Sequence, residues 1–169
     1  MVRLMNAIAC LLFLSLSCQA HARNSAEVIS ASNPAGMVIT LLNMGFNPEL
    51  TTDPVGDPLI ISRSNGGVFS VFFFGCNETT HDACQSIRLQ VGYDRAKPWN
   101  PVEAMQLSAE YPFLAVRLDQ EGDPFVHWDL YLGEGIPETV FVRNVRAFEK
   151  SVTLAAELVY AEEKADAAE

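Results

Sequence analysis

His127 and Asp129 stand two residues apart in a run, Val126 to Leu132, whose apolar and polar residues alternate. Alternation at period two marks a half-buried strand, and side chains two apart on a strand project from the same face. A second alternating run, Ser86 to Tyr93, offers Arg88 and Gln90 at the same period, and Arg117 lies in a third, Leu114 to Leu118. Paired in one sheet, these runs would bring an imidazole, a carboxylate, guanidinium groups and an amide to one surface. Such a polar patch can bind a partner; it is equally the ordinary wet side of an antiparallel sheet covered on one face. Trp99, with Trp128, is the remaining candidate. Large aromatics anchor interfaces and line ligand pockets, and they also fill cores.

More specific chemistry is absent from the sequence. There is no GxSxG elbow, no Walker loop and no GxGxxG, and Gly133-Glu134-Gly135, followed by Ile136-Pro137, reads as a strand-to-helix turn. The repeated Gly-Asp-Pro at 56–58 and 122–124 places two aspartates in separate turns. That falls short of the roughly six to eight oxygens that calcium takes. The expectation is a protein that is not an enzyme and carries no metal or cofactor, with an unfamiliar hydrolase as the minor alternative.

Four cysteines are present, two of them, Cys10 and Cys18, within the first 22 residues. That stretch has Arg3, an apolar run from Leu4 to Leu16 and then Ala20-His21-Ala22, the small-x-small pattern of a cleaved signal peptide. The apolar run is short of the roughly 20 residues a bilayer span needs. A lipid-modified Cys18 is a weaker reading, because Ser15 stands where such sites want an aliphatic residue. Export to the periplasm or medium leaves Cys76 and Cys84 as an even pair, and they bracket a loop between two strands, so a disulfide is expected. The rival is a metal site of Cys76, Cys84 and His81, with or without Asp82, whose spacing matches no common zinc pattern. Asn77-Glu78-Thr79 also fits the N-glycosylation acceptor pattern.

Loss of residues 1–22 takes the formal charge from -10 to -11, which argues against nucleic acid and anionic membranes as partners. The remaining 147 residues suit one domain: a leader over 23–29, a domain over 30–160 and an acidic tail over 161–169 expected to fray.

Along the domain, Asn33-Pro34 starts a helix with Met37, Val38, Leu41 and Leu42 on one side, expected to be mostly buried, and Gly45 closes it. Strands follow on either side of the turn at 53–58, and Ser64-Asn65-Gly66-Gly67 turns the chain into Val68 to Phe74. That last run is apolar at nearly every residue, so it is expected to be a central strand covered on both faces. With Ser86 to Tyr93 it forms the hairpin around which the chain is organised. Asn100-Pro101 opens a second helix to about Glu110 with Val102, Met105, Leu107 and Ala109 as candidate core, and Pro112 ends it. A second hairpin spans Leu114 to Leu132. Phe141, Val145, Phe148, Val152, Ala155 and Val159 then recur at steps of four and three as the stripe of a final helix. The reading is an α+β single domain, an antiparallel sheet with helices packed on one face, in the order α-β-β-β-β-α-β-β-α.

Taken in order, Gly45-Phe46, Gly56-Asp57-Pro58, Phe74-Gly75-Cys76 with Cys84-Gln85-Ser86, Trp99-Asn100, Leu118-Asp119 with Gly122-Asp123, and Asp129 to Gly135 resemble the YbjN-domain family from about Ser30 to Leu158. The resemblance implies a fold similar to type III secretion chaperones and a regulatory or chaperone-like role with no established catalytic residues. Pro101-Val102-Glu103 follows Trp99-Asn100 where relatives often carry basic residues, which speaks against anion binding by that segment. The functional expectation is an exported, non-enzymatic protein that binds a protein or peptide partner through Arg88, Gln90, Arg117, His127, Asp129 or Trp99; a homodimer is compatible with it. A small-molecule or ion sensor is the alternative.

Overall fold

The computed structural model describes residues 27–64 and 67–168. The expected signal peptide, and Asn65-Gly66 of the second turn, lie outside the described residues.

The chain runs β1 (Val28–Ile29), α1 (Pro34–Asn43), β2 (Glu49–Thr52), β3 (Pro58–Ser64), β4 (Gly67–Phe74), β5 (Ser86–Gly92), α2 (Pro101–Glu110), β6 (Ala115–Leu118), β7 (Pro124–Tyr131), β8 (Ile136–Pro137), α3 (Glu138–Val159) and α4 (Ala161–Asp166). All nine expected elements are present in the expected order. Two features are additional. Val28 and Ile29 of the presumed leader pair with Pro137 and Ile136 as a small second sheet, and part of the tail is helical as α4.

Six antiparallel strands form the main sheet in the order β2-β3-β4-β5-β7-β6. The β4–β5 hairpin takes its two central places. The reason is local: the 53–57 turn, the 75–85 loop and the 119–123 turn each join neighbours, and only α2 forces a crossover, which returns the chain as edge strand β6 beneath that helix. Both aspartate turns close the same way. Asp53 Oδ1 accepts from the amides of Val55 and Asp57, and Asp119 Oδ1 from those of Glu121 and Asp123. The Gly-Asp-Pro repeats are therefore turn formers.

The helical stripe read from the sequence is the core of the molecule. Phe141, Val145, Phe148, Val152, Ala155 and Val159 are all buried, against Phe69, Val71 and Phe73 of β4, Ile87, Leu89 and Val91 of β5, and Val126 and Trp128 of β7. Phe69 links the layers through edge-to-face contacts with Phe46 at 5.3 Å and Phe148 at 6.3 Å between ring centres. The α1 helix is capped as expected: Asn33 Oδ1 accepts from the amide of Gly36, and Gly45 turns with φ 89°.

The structure corrects the expected burial in three places. Leu42 of α1 is exposed and Thr40 is buried instead, its hydroxyl donating to Glu138 Oε1, because α1 lies over the sheet beside the start of α3 and buries only one stripe. Of the four core candidates in α2 only Leu107 is buried; Ala104 joins it, while Val102 and Met105 face outward. The helix packs chiefly on the short edge strand β6, so only a narrow stripe is covered. Third, β4 is central but covered on one face only: Phe69, Val71 and Phe73 are buried, while Val68 and Phe74 are exposed and Phe72 half-buried. Among the described residues, helices occupy a single side of the sheet.

Candidate functional site

Strand register decides which side chains share the uncovered face. Phe72 lies opposite Arg88, and Arg88 opposite Asp129; one row along, Ser70, Gln90, His127 and Ala115 align across four strands. Arg117 stands opposite Phe125 at the end of the face. The five polar candidates Arg88, Gln90, Arg117, His127 and Asp129 are thus brought to one surface, as their period implies. Trp99 is not among them. It is buried in the loop before α2, on the other side of the molecule's edge, and lines a separate cleft of about 800 Å³ with Arg95, Asn100, Leu107, Leu158 and Glu162.

The centre of the face is a fork-to-fork ion pair. Arg88 donates from Nε to Asp129 Oδ1 at 2.7 Å and from its terminal nitrogen to Oδ2 at 2.8 Å. That bonding holds the Arg88 guanidinium above its ordinary range and the Asp129 carboxyl below the usual carboxylate range. The guanidinium also sits 5.5 Å from the centre of the Phe74 ring, and Arg117 sits 4.1 Å from that of Phe125. Each cation thus sits over an aromatic ring, and the Arg88 edge is taken up by Asp129.

His127 differs from its neighbours. It is 91% buried, with relative exposure of 9%, and Nδ1 has no hydrogen-bond partner. Burial, and then the nearby Arg88 charge, push its pKa below the ordinary histidine value. The ring is therefore held neutral on the uncovered face, with an unfilled nitrogen. The Asp129 carboxylate on the same face bonds to Arg88 rather than to the imidazole.

The sequence reading missed the apolar half of this surface. Leu59, Ile61, Val68, Phe72 and Phe74 lie on the same face as the ion pair, since Leu59 pairs with Phe72, Ile61 with Ser70 and Arg63 with Val68. Treating β4 as covered on both sides hid them. The signal that could have found them was supply: only one long apolar stripe, that of α3, was available to cover a six-stranded sheet.

Cys76 and Cys84 are joined as a disulfide. Their sulfurs are not thiolate ligands, and His81 turns instead to Asp57, with Nδ1 2.8 Å from Oδ1. His81 also lies against Gly56, where a Cβ would come within 3.0 Å of Nε2. The loop is thus tied to the 53–57 turn. Among the described residues no three His, Cys, Asp or Glu side chains are grouped as metal ligands, and no helix is long and apolar enough to cross a membrane.

These features define a class: a single α+β domain whose antiparallel sheet has helices on one side and an amphiphilic open face on the other. The family model YbjN, described as "Putative bacterial sensory transduction regulator", matches residues 37–159. The chain belongs to the YbjN family, which supports a regulatory or binding role in general terms. No curated protein matches the chain.

Proposed function

We propose that the protein is an exported, non-enzymatic binding module that captures a segment of a protein or peptide partner on the open face of its sheet. The observation that carries this reading is the juxtaposition of the Arg88–Asp129 pair and His127, whose Nδ1 is unpartnered, with the apolar patch from β3 and β4. An apolar area rimmed by charge is the usual composition of a docking surface. The edge strand β2, exposed at all four residues, would let an extended segment add to the sheet beside that face. The test is crosslinking and affinity capture in the native compartment with the triple alanine change at Arg88, His127 and Asp129 in folded protein. Loss of a reproducible partner supports the reading, and unchanged capture removes this face.

Export rests on Arg3, the apolar run and Ala20-His21-Ala22. N-terminal sequencing of the native protein should begin at about Arg23 in a periplasmic or secreted fraction; an intact Met1 in the cytosol would overturn it.

The cleft beside Trp99 favours a second reading, a small-molecule sensor. A ligand held there would raise the melting temperature by mass action, so a thermal-shift screen that stabilises the wild type but not Trp99→Ala would move the assignment to that cleft.

A further inference from the structure

The loop Arg95-Ala96-Lys97 is bound by the protein's own acidic tail. Arg95 has only 1% of its side chain exposed, yet its partners come from α4: Nε lies 3.3 Å from Glu163 Oε1 and a terminal nitrogen 3.4 Å from Glu162 Oε2. Glu163 Oε1 also accepts from the amide of Ala96 at 3.0 Å, and Lys97 Nζ reaches Asp166 Oδ2 at 2.8 Å. The third guanidinium nitrogen has no partner. Within α4 itself the hold is polar, because Ala161–Asp166 contributes no buried residue; the apolar anchor is Tyr160 at its start, which packs on the Tyr93 ring and donates to the Asp94 carbonyl. A buried guanidinium must be neutralised by carboxylates, whereas a six-residue helix held beyond Tyr160 by ion pairs and hydrogen bonds alone is easily exchanged. The demand at Arg95 is therefore fixed while its supplier is replaceable.

We propose that Arg95, the Ala96 amide and Lys97 form a receptor for an acidic peptide segment, occupied in cis by Glu162, Glu163 and Asp166 and opened to a partner when that segment displaces α4. The partner's chemistry is read from the tail that models it: two adjacent carboxylates for Arg95 and the amide, and a third one helical turn on for Lys97. Displacement would also remove Ala161 and Glu162 from the wall of the Trp99 cleft, coupling peptide capture to access there. The site is remote from the sheet face, and its failure would leave the reading of that face untouched.

The experiment uses the protein as the cell processes it, with a fluorescent peptide of the sequence Tyr160 to Ala168 as probe, followed by anisotropy. Wild type should bind it weakly because the site is filled. E162Q/E163Q, with the cis carboxylates neutralised, should bind about tenfold more tightly, since occupancy in the wild type divides the dissociation constant by the free fraction and so weakens binding. A probe with glutamine for glutamate should bind neither protein, and Lys97→Glu, at an exposed position, should weaken capture. Equal affinity of wild type and E162Q/E163Q, or equal binding of the glutamine probe, overturns the proposal. If E162Q/E163Q does not fold, hydrogen exchange of the 160–168 amides in wild type decides: faster exchange under saturating probe supports displacement, and unchanged exchange overturns it. A wild-type dimer joined by exchanged tails would overturn occupation in cis.

Discussion

At the residue scale the face is tuned by three different environments. Arg88 and Asp129 satisfy each other at the surface, so Asp129→Asn should cost only about 1 kcal/mol or less in urea unfolding, the range for solvent-exposed pairs. The same change should strip a charged partner of its contact, and a capture assay reads that separately. His127 sets a pH dependence. Its folded pKa is depressed below the ordinary 6.5, so the unfolded chain takes up its proton first as pH falls. The stability His127 contributes is complete above about 6.5 and is lost as pH drops from there through its folded pKa. Urea midpoints between pH 7.5 and 5 should fall in wild type and fall less steeply in His127→Gln.

Elements carry the positioning. The disulfide closes the loop that turns β4 into β5, with a sequence separation of 8. Cys76→Ser with Cys84→Ser should therefore lower stability by about 2–3 kcal/mol through loop entropy, measured by denaturant titration. Gly135 holds the small β1–β8 sheet. It has φ 122°, and a Cβ there would meet Val28 Cγ1 at 2.2 Å. Gly135→Ala should detach β1, lower stability by about 1–3 kcal/mol and expose the chain before α1 to protease. Arg146 of α3 reaches across to donate to the Met44 carbonyl and lies 5.2 Å from the Phe46 ring centre, closing the end of α1 from another helix.

The whole molecule is a two-layer arrangement whose layers are pinned where α3 meets the central hairpin. Phe148 of α3 is buried against Phe69 of β4, and Phe148→Ala should cost about 3–5 kcal/mol in thermal or denaturant unfolding. The opposite outcome is expected across the sheet. Val68→Lys, on the open face with its side chain already exposed, should change stability by no more than about 0.5 kcal/mol while abolishing partner capture. A large stability loss with Val68→Lys would mean that this face is covered, and would remove it as a docking surface.

By itself the sequence determined the elements, because their signals are local: the Asn33-Pro34 and Asn100-Pro101 helix starts, the aspartate turns, the alternation of 86–93 and 126–132, and the stripe from Phe141 to Val159. It also determined that Arg88, Gln90, His127 and Asp129 share a face, since a period of two leaves no other arrangement once the strands pair. Tertiary structure decided the rest. Whether Phe72 and Val68 are core or surface depends on how many layers cover the sheet, a quantity no window of residues contains. The same is true of Val102 and Met105, whose helix found only an edge strand to pack on. Whether Trp99 is core or lines a pocket was also left open by the sequence; the packing of its loop makes it buried and places it at the wall of a cleft. The tail read as frayed because AEEKADAAE is polar and acidic with no large apolar residue; α4 is tied instead to Arg95 and Lys97, more than 60 residues earlier in the chain, and long-range charge pairing leaves no periodic trace.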